Sequence, residues 1–195
     1  MTSSRVPYMN PVIHILKYLK NAPGRGLFYR SSEHLCIEGY TNADLARSPS
    51  DWKSTAGYCT FIGGNLVTWR SKKQAIVARS SAEVEYRVMA HTTCELTLLR
   101  TILQEFGLLV QGPTSLYCDN QIAIHIASNP VFHERTKHIK VDCHFIRSKV
   151  ESKDIITPFV HFGSQLADII TKALPKNAID SICSKLGVID IYSPA

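Results

Sequence analysis

The sequence predicts an α/β domain whose mixed sheet has three antiparallel strands followed by two further strands, flanked by helices. Three observations carry this. Strand-like segments at 35–44, 58–62 and 66–69 follow one another with no helical pattern between them, which implies antiparallel neighbours. The longest helical periodicity comes directly after them. Beyond it, strand and helix patterns succeed one another. With 195 residues and 45% hydrophobic content, the chain can bury one good-sized core plus an extension.

Taken in order, Asn10 and Pro11 read as a helix start, with Val12, Ile15, Leu16 and Leu19 as its apolar stripe and a stop before Asn21. Pro23, Gly24 and Gly26 make a loop, and Leu27, Phe28 and Tyr29 begin an extended piece. Leu35 to Tyr40 is a strand that runs on through Thr41, Asn42, Ala43 and Asp44 into a polar loop around Ser48 to Asp51. Tyr58 to Ile62 and Leu66 to Trp69 flank Gly63, Gly64 and Asn65, the turn formers of a hairpin. Ser80 to Glu83 is a capping box, so a long helix begins there. Its apolar positions, Ala82, Tyr86, Met89, Ala90, Leu96, Leu99, Leu103 and Phe106, lead to a stop at Gly107. Glu85, in its second turn, reads on spacing alone as a glutamate on a helix flank.

The stretch Leu116 to Asn120 then puts a carboxylate at a strand-to-helix joint. Leu116 and Cys118 alternate with Tyr117 and Asp119, Asn120 is a fair N-cap, and Ile122, Ala123, Ile126 and Ala127 mark one face of the helix that follows. Ligands gather at carboxyl ends of strands in open α/β sheets, so Asp119 is either a site residue or a turn cap. Thr136 to Val150 is helical again, with Ile139, Cys143, Ile146 and Val150 on one side. Around it lie His133, Arg135, Lys137, His138, Lys140, His144, Arg147 and Lys149, either a solvated face or a surface for phosphates. The histidine spacing matches no common zinc pattern. Ile155 to Phe162 alternates as a last strand; Asp168 lies in a helix with Leu166, Ile169 and Ile170 inward; Ile179, Ile182 and Leu186 carry a closing helix that stops at Gly187. Residues from Tyr192 onward should fray.

Lys and Arg total 22 against 16 Asp and Glu, a net charge of +6 that suits a polyanionic partner. The six cysteines are scattered singly, without a CxxC pair, and read as reduced, mostly buried thiols. No apolar run suits a signal core or a membrane span. An intracellular location, cytoplasmic or nuclear and not secreted, is the expectation.

Several ordered motifs resemble the ribonuclease H domain of copia-type LTR retrotransposon Pol polyproteins. They are Gly39 to Asp44, "KSTAGYC" from Lys53, "GGNLVTWRSKKQ" from Gly63, "ARSSAEVEYRVMA" from Ala78, "CDNQIAIHIASNPVFHERTKHIKVDCHFIR" from Cys118 and "QLADIITKAL" from Gln165. "HILKYLKNAPGRGL", from His14, is similar to the end of the reverse-transcriptase region of such polyproteins. The resemblance implies an RNase H-like fold over residues 35–176, a remnant of the reverse transcriptase region over 1–34, and a C-terminal helix and tail over 177–195. It implies hydrolysis of the RNA strand of RNA–DNA hybrids by Mg²⁺, or Mn²⁺, held by four carboxylates. Glu85, Asp119 and Asp168 match three of these, as catalytic and metal-holding residues. Ser71, Lys72, Lys73, Arg79, Asn120, Gln121, Arg135, Lys137 and His138 would face the hybrid, and the reverse transcriptase portion of a polyprotein is an expected partner.

The first catalytic aspartate of the pattern is Asn42 in this chain. An amide keeps the shape of a carboxylate and loses the charge that draws in cations. Asp44 shares its strand face yet lies roughly 7 Å further along, too far to replace it. Leu45 and Arg47 also depart from the family pattern. The expectations are therefore an impaired nuclease, a hybrid-binding module that does not cut, or a scaffold that keeps only the fold.

Overall fold

The structure, a computed structural model, describes residues 6–45, 52–75, 77–78, 80–129 and 140–192. Helix α1 (Val6–Asn21) leads into a short strand β1 (Arg25–Leu27). Strands β2 (Ile37–Asp44), β3 (Thr55–Ile62) and β4 (Asn65–Lys73) precede the 25-residue helix α2 (Ser81–Glu105). Then come β5 (Thr114–Cys118), α3 (Gln121–Ser128), α4 (Lys140–Glu151), β6 (Ile155–Ile156), α5 (Lys176–Lys185) and β7 (Val188–Asp190). Five strands form one sheet in the order β4-β3-β2-β5-β6. β2, β3 and β4 are antiparallel, and β5 and β6 add in parallel, so the sheet is mixed as expected.

The hairpin turns on Gly63 and Gly64, at φ +57° and +76°, a region where a side chain is strained. At the start of α2 the Ser80 side chain accepts from the Glu83 amide at 3.2 Å. Gly107, at φ +73°, follows its last turn. Asn120 caps α3 by accepting from the Ala123 amide at 3.0 Å.

Helices cover both faces of the sheet. On one, Ile37, Tyr86, Met89, Leu96, Leu116 and Ile146 join in a core beneath α2, α3 and α4. Each such side chain, fully buried, contributes about 1.5–3 kcal/mol. On the other, Cys59, Phe61 and Leu66 pack with Leu166, Ala167, Ile182 and Leu186. This second core seats the segment that carries Asp168. The fit is close at Gly57, where a Cβ would come within 2.7 Å of Thr171 Cγ2 and 3.0 Å of Ile170 Cγ1. Gly57→Ala should therefore cost about 1–3 kcal/mol in urea unfolding. A cost near zero would mean that this segment does not bear on β3.

Several sequence expectations need correction. Helix α1 begins at Val6, before Asn10, and holds Pro11 inside it; Pro7 already stands in the first turn, and Pro11 forfeits only one backbone bond there. Its residues Val12, Ile15, Leu16 and Leu19 are exposed. Phe28 and Tyr29 lie beyond β1, which pairs with β7 as Arg25↔Asp190 to Leu27↔Val188. Strands β3 and β4 run further than the apolar runs suggest, since each is held by its neighbour's ladder. The last strand stops at Ile156, because Pro158 offers no donor; a lone bridge of Phe159 to Cys118 continues the pairing. Ile122 is exposed, and Phe106 caps α2 in solvent. Arg147 belongs to neither a solvated face nor a phosphate surface: it is buried and donates to the carbonyls of Ile126 and Asn129. Residues 130–139, with the histidine and lysine run of 133–138, and residues 193–195 lie outside the described residues. Among the described residues, no helix is long and apolar enough to cross a membrane.

Candidate active site

Register brings the acids together. Thr41 pairs with Cys118 across β2 and β5, so the next residues, Asn42 and Asp119, follow the last pair of this ladder at the same end of the sheet. The alternation of the strands turns Asn42 away from the α2 face and toward the segment Leu166–Ile170, where the expected helix is a short 3₁₀ one. Gln165 holds that turn in place. It is fully buried, donates from Nε2 to the Thr41 carbonyl at 3.0 Å, and accepts from the Ala167 amide at 3.2 Å.

Asn42 is 1% exposed, and its Nδ2 donates to Asp168 Oδ1 at 2.7 Å and to the Thr171 hydroxyl. An ionised carboxylate only accepts, so the amide must turn its NH₂ to Asp168. The same Oδ1 also accepts from Lys172 Nζ at 2.8 Å. Asp168 Oδ1 thus receives two internal donors, of which the Lys172 ammonium also brings a compensating charge.

Glu85 sits at the start of α2 and reaches across the strand end. It is buried, contrary to its reading as a flank residue, and Oε1 accepts from the Ala43 amide at 2.7 Å. Burial pushes its carboxyl up to about 8; the Ala43 amide pulls the other way, and the nearby Asp119 adds to the rise. Asp119 is raised too, chiefly by burial, with Lys172 opposing and Asp168 reinforcing it. Glu85, Asp119 and Cys118 each bring one ligand atom within 4.8 Å of the others. Burial raises the Cys118 thiol strongly, with Glu85 adding to it, so the sulfur stays protonated.

A divalent cation fits part of this arrangement. Glu85 Oε2 and Asn42 Oδ1 are buried acceptors without a hydrogen-bond partner. Leaving such acceptors unmet costs about 1–3 kcal/mol each, which a hard cation would relieve. At Asp168 the fit is poorer, since Oδ1 already holds two donors. Asp44 pairs with Thr55 two residues along β2 and is not in the three-residue cluster.

The expected nucleic-acid residues are placed unevenly. Ser71, Lys72 and Lys73 are exposed on β4, and Ser71 pairs with Gly57, which pairs with Asn42. Two strand spacings put this basic strand end roughly 10 Å from the acids. Arg70, Lys72, Lys73 and Arg87 line a cleft beside it, with Asp142 as the one acid among the described lining residues. Asn120 spends its side chain on capping α3, and Gln121 is exposed in the first turn. Arg79, Arg135, Lys137 and His138 lie outside the described residues. His161 packs edge-on against Phe159 at 5.1 Å. Sequence reasoning passed over Gln165, Thr171 and Lys172. Lys172 follows Asp168 by four residues, a helical ion-pair spacing that signals the contact.

No protein-family model matches the chain. It is 40% identical over 181 residues to the Retrovirus-related Pol polyprotein from transposon RE1 of Arabidopsis thaliana, covering 93% of this chain and 12% of that protein. The corresponding polyprotein from transposon TNT 1-94 of Nicotiana tabacum is 37% identical over 172 residues, 88% of this chain and 13% of the relative. The chain therefore spans a small part of the curated relatives it matches. Among solved structures, the N-terminal RNase H domain of a Mycobacterium tuberculosis protein aligns at TM-score 0.51 and 11% identity, over 77% of this chain and 97% of that one. LC11-RNase H1, solved with an RNA/DNA hybrid, aligns at 0.51 and 15% identity over 74% and 97%. The fold is RNase H-like, and over most of its length the chain is homologous, at 40% identity, to a segment of transposon Pol polyproteins.

Proposed function

We propose that this chain is an RNase H-type domain that grips RNA–DNA hybrids and whose hydrolytic site is assembled but impaired at Asn42. The observation that carries this reading is the Asn42 amide donating to Asp168, where a fourth carboxylate would repel it. Glu85 and Asp119, with the second oxygen of Asp168, would hold a divalent cation, Mg²⁺ or Mn²⁺. When bound, the cation supplies Lewis acidity toward a phosphodiester and its attacking water. Asn42 offers it a neutral oxygen, Gln165 keeps the Asp168 turn against β2, and the Ala43 amide orients Glu85. Residues 35–176 form the RNase H-like unit in this reading, 1–34 correspond to the end of a reverse transcriptase region, and 177–195 to a C-terminal helix and tail. The reverse transcriptase portion of a polyprotein is the natural neighbour. None of the six cysteines is in a disulfide, which suits a reducing intracellular setting.

Ser71, Lys72, Lys73, Arg79, Asn120, Gln121, Arg135, Lys137 and His138 are the proposed hybrid contacts. The exposed end of β4 supports the first three. Binding to a labelled RNA–DNA hybrid in EDTA tests the grip apart from any cutting. Affinity should fall as salt rises, and replacing Lys72 and Lys73 together by Ala should make that dependence shallower by about two phosphate contacts. Unchanged binding in the double variant would contradict the assignment of this patch.

A further inference from the structure

Carboxylates gathered from separate elements need positive charge among them, and here part of it is already built in. Lys172 Nζ lies 2.8 Å from Asp168 Oδ1, and the two side chains are 19% and 3% exposed. The ammonium is also held over the Phe162 ring, 5.1 Å from its centre. Its charge reaches beyond Asp168, since it draws both Glu85 and Asp119 toward their ionised forms. The Asn42 amide meets the same Oδ1 from the β2 side. Oδ1 of Asp168 is therefore already occupied on two sides by protein donors and offers little to a second cation. Charge counting agrees. Glu85, Asp119 and Asp168 sum to three negative charges when ionised; Lys172 leaves two, which one divalent cation balances.

We propose that Lys172 is the resident counter-cation of this acidic cluster, so that the site takes one divalent cation where a two-cation centre would take a pair. Lys172 is on this account a positioning residue that holds Asp168 and excludes the second ion. The inference rests on the reading of Glu85 and Asp119 as cation ligands, and it does not depend on hybrid binding, which is measured in EDTA.

Mn²⁺ titration of the whole chain, read by the loss of the free-ion electron paramagnetic resonance signal, tests it without any substrate. The natural protein and Lys172→Arg should each bind one Mn²⁺, and Lys172→Met should bind a second or bind the first at least tenfold tighter. Two ions in the natural protein, or no change in Lys172→Met, would overturn the proposal. No ion in the natural protein would overturn the proposal whatever the variant does; one ion in Lys172→Met alone would still leave Glu85 and Asp119 able to hold a cation, and none in either would overturn both the proposal and the cation-holding part of the proposed function. Should Lys172→Met not fold, the natural protein still decides. In a ¹⁵N-lysine spectrum, the side-chain signal lost in Lys172→Arg should survive saturating Mg²⁺, and its disappearance on adding Mg²⁺ would contradict a resident ammonium.

Discussion

Asn42→Asp should lower the melting temperature in EDTA by about 6–12 °C, equivalent to about 3 kcal/mol, and Mg²⁺ should restore most of it. The cause is local. Position 42 is 1% exposed, and its amide supplies hydrogen bonds to Asp168 and Thr171. A carboxylate there would set oxygen against oxygen at the 2.7 Å contact with Asp168, and the Lys172 ammonium, already paired with Asp168, would have to absorb the added charge. A divalent cation binds the folded cluster and not the unfolded chain, so it stabilises the variant by mass action. Paired thermal scans in EDTA and in Mg²⁺ check both halves. The natural protein should respond to Mg²⁺ much less, and an equal response would contradict the view of Asn42 as a neutral substitute for charge.

Glu85 sets the second expectation, a loss of stability with rising pH in metal-free buffer. Its carboxyl is raised from 4.5 to about 8 in the fold, above all by burial. Between those values the folded protein keeps a proton that the unfolded chain has released. Stability is therefore fully present below about 4.5 and is lost as pH rises through about 8, a change on the order of 5 kcal/mol from this group. Glu85→Gln keeps an oxygen for the Ala43 amide and cannot ionise. In urea unfolding with EDTA, it should flatten the slope across that window and exceed the natural protein by several kcal/mol at pH 8. A variant with the same slope as the natural protein would place the titration elsewhere.

Much of this architecture is legible along the chain because its signals are local. The Gly63-Gly64 turn, the Ser80 and Asn120 caps and the Gly107 stop each act within a few residues, and the structure uses all of them. The site is legible in its acids and not in their environment. Glu85 looks like any exposed helix glutamate until α2 is laid across the end of β2, and Arg147 looks solvated until the carbonyls at the end of α3 meet it. The pairing of β1 with β7 joins residues more than a hundred positions apart, and no periodicity records it. Gln165 is similar: its clamp on Thr41 depends on where β2 lies. Lys172 is the exception, since its spacing from Asp168 was open to reading.

Cleavage of a labelled RNA–DNA hybrid in Mg²⁺, by the natural protein and Asn42→Asp side by side, tests the central claim most directly. The account expects the natural protein to cut at least ~100-fold more slowly than the variant, whose restored carboxylate completes the cation-holding set. Equal cutting by both would contradict an impaired site, and silence from both would contradict an assembled one.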